Sequence, residues 1–419
     1  MTSPAPPHVA ILGAGPIGLE AALAAAERGW PFTVYEAAER PAAAVAAWGH
    51  VRLFSPWELN ASPRARARLA AAGRPVPGDT GAAGDACPTG AELVSGLLWP
   101  LAGLPEIAPG LRLGTRVVEV SRDGLVKSDE IGTGKRAERP FRLLVEDAAG
   151  NERIERADVV LDCTGAWFSP NRLGDGGISA PGERAAEAAG LIRRHPPDLD
   201  AEEDDWAGRT VLLVGAGHSG QTAARDLAAL AERHPGTRVI WALRAEQPGW
   251  GRVEDDPLAE RARLADAAAA LAGGASPAVE VRRGVVIEAL EPGGGEGGKL
   301  RVTLRRRLDN GAGAGGRETI DVDRVLSLTG YVGDHRLYRQ LQVHECYATS
   351  GPMNLSAALL GAAGGDCLAQ TSHGAEALVN PEPGFFLLGS KSYGRNATFL
   401  MRNGWAQVDE VFGLLEATP

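Results

Sequence analysis

Two glycine-rich turns, at residues 13–18 and 215–220, each lie between a short apolar strand and an Ala-rich helix. An apolar strand ending in Thr-Gly follows each of them, with Thr164 coming 151 residues after Gly13 and Thr329 coming 114 residues after Gly215. This repeat predicts an α/β fold with two Rossmann-like dinucleotide-binding domains, the second inserted into the first.

The first turn sits in VAILGAGPIGLEAALAAAERGWPFTVYE, residues 9–36. Gly13 lets the chain turn, Gly15 removes the Cβ that would block a pyrophosphate, and Gly18 lets the helix close on the strand. Pro16 suits the first helical position, where no donor is lost, and Ile17 follows it into the helix whose amino end faces the phosphates. The next strand delivers Glu36, an acid that can hold a ribose 2′-hydroxyl and repels a 2′-phosphate.

Residues 47–63, AWGHVRLFSPWELNASP, are too rich in aromatics and turn formers for a surface helix. Trp48, Phe54 and Trp57 either plug the edge of the core or wall one face of a flat aromatic cofactor. Residues 88–104 read as a helix capped by Thr89, with Glu92 completing a capping box. Strands are expected over 111–120 and 141–146, then in ADVVLDCTG, where Thr164 and Gly165 bring the backbone close to whatever lies above the sheet. Cys163, inside that apolar strand, reads as an inert core residue.

Residues 171–208, with Pro, Gly and an acidic run from 198 to 205, read as a linker or excursion. The second turn then opens TVLLVGAGHSGQTAARDLAALAERHPGTRVIWALR, with Gly215, Gly217, His218, Ser219 and Gly220 at the phosphate position. Its second strand ends in Leu243-Arg244, and a cation there favours a 2′-phosphate, hence NADPH. Strands over 281–290, 300–308 and 318–322, separated by GGGEGG and GAGAGG, form a meander ahead of DRVLSLTG. The chain closes with an apolar strand ending at Gly389, a SYGRN turn, and a helix expected from Asn396, whose amino end would favour an anion. The expected domains are therefore 1–170 with 325–419, and 209–324, joined through 171–208.

Composition sets outer limits. At 419 residues, with 44% hydrophobic and 23% charged residues, the chain suits two or three globular domains. A net charge of −10 argues against nucleic acid or an anionic membrane as partner. No apolar run approaches the roughly 18–20 residues of a membrane span, and the N-terminus reads as lacking a secretory signal, so a cytoplasmic protein is expected. Cys87, Cys163, Cys346 and Cys367 form no CxxC, and no metal spacing joins them to the eight histidines. His50, His218 and His373 each stand without a sequence partner and read as structural.

Two modules with Glu on one and Arg on the other resemble the flavoproteins with two dinucleotide-binding domains, over nearly the whole chain. The resemblance implies FAD on Gly13, Gly15, Gly18, Glu36, Thr164, Gly165 and Gly389, and NADPH on Gly215, Gly217, His218, Ser219, Gly220 and Arg244. GAGHSG is similar to the GxGxSG of flavin-containing monooxygenases, and residues 48–60 are similar to their segment over the flavin. The ending KSYGRNATFL resembles that of a bacterial monooxygenase-like subgroup, some of whose members are associated with arsenic resistance. The implied activity is oxygen insertion from O2 into a small-molecule substrate through a flavin C4a-hydroperoxide, with Trp48 and Phe54 as walls and Arg52, Ser55, Asn60 and Tyr393 as polar groups at the flavin edge. The FxGxxxH fingerprint ahead of the second glycine motif is absent; ISAPGE at 178–183 and LIRRHPPDL at 191–199 stand there instead. A flavin reductase or oxidase without oxygen insertion, or a flavin-binding redox sensor, is the alternative. Monomer and homodimer both stay open.

Overall fold

The computed structural model describes residues 5–79, 86–307, 316–361 and 372–417. It divides into two compact units, residues 1–169 with 332–419, and residues 170–331.

The first unit begins β1 (Val9–Leu12), α1 (Pro16–Glu27), β2 (Phe32–Tyr35). A short β3 (Leu111–Arg112) extends the parallel sheet, and the chain then leaves it at Gly114, whose φ is +60°. The antiparallel meander β4 (Thr115–Arg122), β5 (Phe141–Asp147) and β6 (Glu152–Ala157) follows, and β7 (Val159–Asp162) returns to pair with β1. The second unit repeats the plan. After β8 (Ile192–Arg193) come β9 (Thr210–Val214), α2 (His218–Arg233), β10 (Arg238–Leu243), α3 (Ala259–Ala272) and β11 (Val279–Arg283). The meander β12 (Val285–Glu291), β13 (Leu300–Arg306), β14 (Arg317–Val322) leads into β15 (Arg324–Ser327). The chain ends in the first unit with β16 (Phe385–Leu387) and α4 (Met401–Ala417).

The five-stranded sheets run β16-β7-β1-β2-β3 and β8-β15-β9-β10-β11 in corresponding order, all parallel. Each is covered by helices on one face and a meander on the other. The strand periodicity shows why: Val9 and Ile11 join the helix-side core, while Ala10 and Leu12 join the meander-side core. Val211 and Leu213 against Leu212 make the same division in the second unit. Both meanders even carry an irregularity in their first strand, between Val117 and Glu119 and between Ile287 and Ala289.

Several expectations need correction. The single strands expected over 111–120 and 281–290 are each two strands, because Gly114 and Gly284 take positive φ and redirect the chain from the parallel sheet into the meander. Residues 171–208, read as a linker or excursion, lie within the second unit, where β8 pairs in parallel with β15. Residues 325–331, with all of β15 but Arg324, also fall there rather than with the C-terminal part. The terminal helix starts at Met401; the Asn396 carboxamide instead accepts the Thr398 amide at 3.0 Å, closing a turn ahead of it. The Thr89–Glu92 capping box forms in both directions, although the helix it opens passes through a π turn at Val94–Leu98. The GAGAGG turn, apart from its last glycine, and Cys367 lie outside the described residues. Among the described residues no helix is long and apolar enough to cross a membrane.

Candidate dinucleotide sites

At the first turn, Gly13 has φ +95°, and a Cβ there would lie 2.9 Å from the Cys163 carbonyl at the end of β7. A Cβ at Gly18 would collide with the Gly13 carbonyl, whereas a Cβ at Gly15 would meet nothing within 4 Å. Two glycines are thus needed by the fold, and the third faces open space at the amino end of α1. Gly15 itself caps that helix with no side-chain partner, and Pro16 occupies its first turn. Ile17 is buried and packs on the C-terminal helix, where only Gly404 leaves room for it. Glu36 is half-buried, and its two oxygens accept the amides of Ala14 (2.8 Å) and Ala38 (2.9 Å). The carboxylate is therefore held against the turn, and each oxygen keeps a second acceptor position for a sugar hydroxyl.

On the other side of β1, Thr164 donates through its amide (3.1 Å) and hydroxyl (2.6 Å) to Asp162 Oδ1. Gly165 takes φ +68°, close to the Ser390 side chain, and Gly389 takes φ +72°, with its amide donating to Gln407 Oε1 at 2.8 Å. The C-terminal ends of β1, β2, β7 and β16 thus line up Glu36, Gly15, Thr164–Gly165 and Gly389 along one sheet edge.

The second turn has matching geometry. Gly215 has φ +124° and no room for a Cβ beside the Leu328 carbonyl; a Cβ at Gly220 would lie 2.5 Å from the Gly215 carbonyl; Gly217 again faces open space. His218 and Ser219 open α2 and are half-buried. Burial, with Arg261 nearby, lowers the His218 pKa below its ordinary value, and Asp256 opposes this. Gln221 donates to the carbonyls of Ala216 (2.9 Å) and Trp250 (3.1 Å), and Trp250 packs on Trp241 with ring centroids 5.2 Å apart. Arg244, just past the end of β10, is exposed, with no ion pair among the described residues.

The residues expected at a reaction edge do not converge. Ser55 and Asn60 are buried and satisfy each other: Ser55 Oγ donates to Asn60 Oδ1 (3.1 Å), and Asn60 Nδ2 donates to the Ser55 and Pro56 carbonyls (2.8 Å each). Arg52 is exposed and bound to the Cys87 carbonyl (2.5 Å) and, at 3.6 Å, to Glu92. Tyr393 is 2% exposed and accepts from Asn403 Nδ2 at 3.0 Å, and burial raises its pKa. Among the described residues no hydrogen bond joins the Ser55–Asn60 pair, Arg52 and Tyr393 to one another. Trp57 is core and packs on Gly78, Trp48 is half-buried with its ring on Gly90, and Phe54 is half-buried. No disulfide joins Cys87, Cys163 and Cys346, and burial first, then Asp162, pushes the Cys163 thiol well above its usual range.

One feature was missed from the sequence. Asp162, last in β7, is fully buried and paired with Lys391 Nζ at 2.6 Å, and Lys391 also donates to Thr164 Oγ1 at 3.1 Å. The polar ending of an otherwise apolar VVLD strand was the available signal.

Paired glycine turns on two parallel sheets, each backed by a meander, define the fold of the flavoproteins with two dinucleotide-binding domains. Solved structures agree. The bacillithiol disulfide reductase Bdr of Bacillus cereus is similar at 18% identity and TM-score 0.67, covering 99% of both chains. The ornithine N-hydroxylase KtzI of Kutzneria sp. 744, in a complex described with reduced FAD, NADP+ and L-ornithine, is similar at 15% identity and TM-score 0.63, covering 98% of this chain and 99% of that one. A flavin-containing monooxygenase of Stenotrophomonas maltophilia follows at 17% identity and TM-score 0.52, covering 99% of both. No family model matches the chain, and no curated protein does.

Proposed function

We propose that the chain is an FAD-dependent, NADPH-reduced flavoprotein monooxygenase acting on a small molecule. The observation that carries the cofactor reading is the pair of glycine turns in which only Gly15 and Gly217 face open space, with Glu36 at the sugar end of one and Arg244 at the sugar end of the other. FAD fits the first: the α1 amides and Gly15 take its pyrophosphate, Glu36 accepts from its ribose, and Thr164, Gly165 and Gly389 leave backbone room along the rest of the edge. Gly217, His218, Ser219 and Gly220 hold the NADPH pyrophosphate, and Arg244, free to swing, pairs with the 2′-phosphate. Bound FAD supplies hydride acceptance and reaction with O2; the protein supplies binding, orientation and exclusion of water.

The cysteines favour this over disulfide reduction. No disulfide joins the three described, and the buried Cys163 is disfavoured as a thiolate, the form a dithiol relay needs. A second reading, an NADPH oxidase or flavin reductase, is favoured by the closed Ser55–Asn60 pair, in which the hydroxyl and the carboxamide are engaged within the loop itself. Stopped-flow spectroscopy separates the two. Protein reduced anaerobically with NADPH and mixed with O2 should show a transient absorbance distinct from reduced and oxidised flavin; direct return to oxidised flavin with stoichiometric hydrogen peroxide overturns the monooxygenase reading.

A further inference from the structure

The two sheets share a device beyond the glycine turns. In each, the outermost strand beside the Thr-Gly strand is followed by a buried cation that reaches the last residue of that Thr-Gly strand. After β8, Arg194 donates to Ser327 Oγ at 3.3 Å, and its charge is met by Glu183 and Glu187, each at 2.7 Å. After β16, Lys391 reaches Asp162, which pairs with Leu12 as Ser327 pairs with Val214. The positions correspond, but only in the first unit does the strand itself carry the countercharge.

The Asp162 and Lys391 side chains are 0% and 1% exposed. Removing two charges from water costs more than a well-packed apolar pair, so stability alone does not account for them. Their placement does. Asp162 Oδ1 takes both Thr164 donors, and Lys391 Nζ is shared between Asp162 Oδ2 and Thr164 Oγ1, so the pair fixes the turn that brings Thr164 and Gly165 to the sheet edge. Lys391 belongs to the same turn as Gly389, packs over Gly333, and lies 5.3 Å from the Tyr338 ring centroid. With the ribose at Glu36 on β2 and the pyrophosphate at Gly15 after β1, the strand order leaves the ends of β7 and β16 to the remaining, redox-active half of the dinucleotide.

We infer that the Asp162–Lys391 pair is a positioning device for the flavin half of FAD: it braces the Thr164–Gly165 turn and sets the electrostatic potential at the bound ring. The inference rests on the FAD reading above. The test is the midpoint potential of the bound flavin, by dye equilibration, in the full-length protein. Asp162→Asn leaves Lys391 uncompensated, favours the more negative reduced flavin and raises the potential. Lys391→Met leaves the carboxylate uncompensated and lowers it. Each shift should change the reduced-to-oxidised ratio about tenfold at fixed potential, or ~30 mV for a two-electron couple. Lys391→Arg, which keeps the charge, moves it least. Shifts of the same sign, or no shift in either variant while FAD stays bound, overturn the inference. Where a single variant does not fold, Asp162→Asn/Lys391→Met together leave no unpaired buried ion. That double variant should lose FAD affinity at least about tenfold, and affinity equal to wild type overturns the bracing role. Failure of the wild-type protein to take up FAD would instead sink the cofactor reading itself.

Discussion

The first and second units solve the same backbone problem with different side chains. Gly13 and Gly215 both take positive φ against the next strand's end, and Gly18 and Gly220 both leave no space for a Cβ. At the sugar end, however, Glu36 is half-buried and bonded to two amides, whereas Arg244 is exposed and unpaired among the described residues. At the edge strand, Asp162–Lys391 is self-contained, while Arg194 draws its countercharge from the excursion ahead of β9. The shared part is what close strand–helix packing requires. The variable part is where ligand identity is decided, and each variant below separates the two.

The largest expected effect is on folding. Gly18→Ala and Gly215→Ala each force a Cβ into a backbone carbonyl, and Gly215 adds the strain of its φ, so each should cost roughly 3 kcal/mol or more in chemical denaturation. Near-wild-type stability would show that the glycine spacing is not a packing constraint.

Gly15→Ala and Gly217→Ala should do the opposite. Both Cβ atoms enter open space, so stability should stay within about 0.5 kcal/mol, while FAD affinity (Gly15) and NADPH affinity (Gly217) fall at least about tenfold, each without the other. Isothermal titration of both variants with both nucleotides checks this; joint loss would break the assignment of one nucleotide to each unit.

Arg244→Glu should then move the ratio of kcat/KM for NADPH over NADH toward NADH by about tenfold or more, and an unmoved ratio would remove Arg244 from the site.

The smallest effect concerns pH. Because burial and Arg261 hold the folded His218 below its ordinary value of 6.5, the unfolded chain binds more protons between the folded value and 6.5. Unfolding free energy should therefore rise with pH there: the His218 contribution is full above 6.5 and is lost as the pH falls toward the folded value. His218→Asn should flatten urea midpoints between about pH 7.5 and 5.5; an unchanged slope would assign the dependence to other groups.

How much was legible follows from locality. The glycine turns, the Thr-Gly strands and the Thr89–Glu92 cap are signals within a few residues of sequence, and the structure has them at those positions. Gly114 and Gly284 are hidden as turns because the strand-like alternation continues through them. The strand β6, ERIERA, lies largely exposed on a meander edge and reads as polar surface. The two-residue β8 is hidden in a Pro-rich stretch and is visible only through its pairing with β15. Ser55 and Asn60 were legible as polar residues in an aromatic loop, but nothing in the sequence reveals that they bond to each other. Asp162 and Lys391 are 229 residues apart, so only the folded sheet brings them together.

The most direct test of two differently tuned nucleotide sites is anaerobic titration of the purified protein, reconstituted with FAD, against NADPH and NADH, followed by flavin absorbance. The expectation is a yellow protein with one FAD per chain, bleached by NADPH at lower concentration than by NADH. A protein that takes up no FAD, or one whose bound flavin neither nicotinamide reduces, would contradict it.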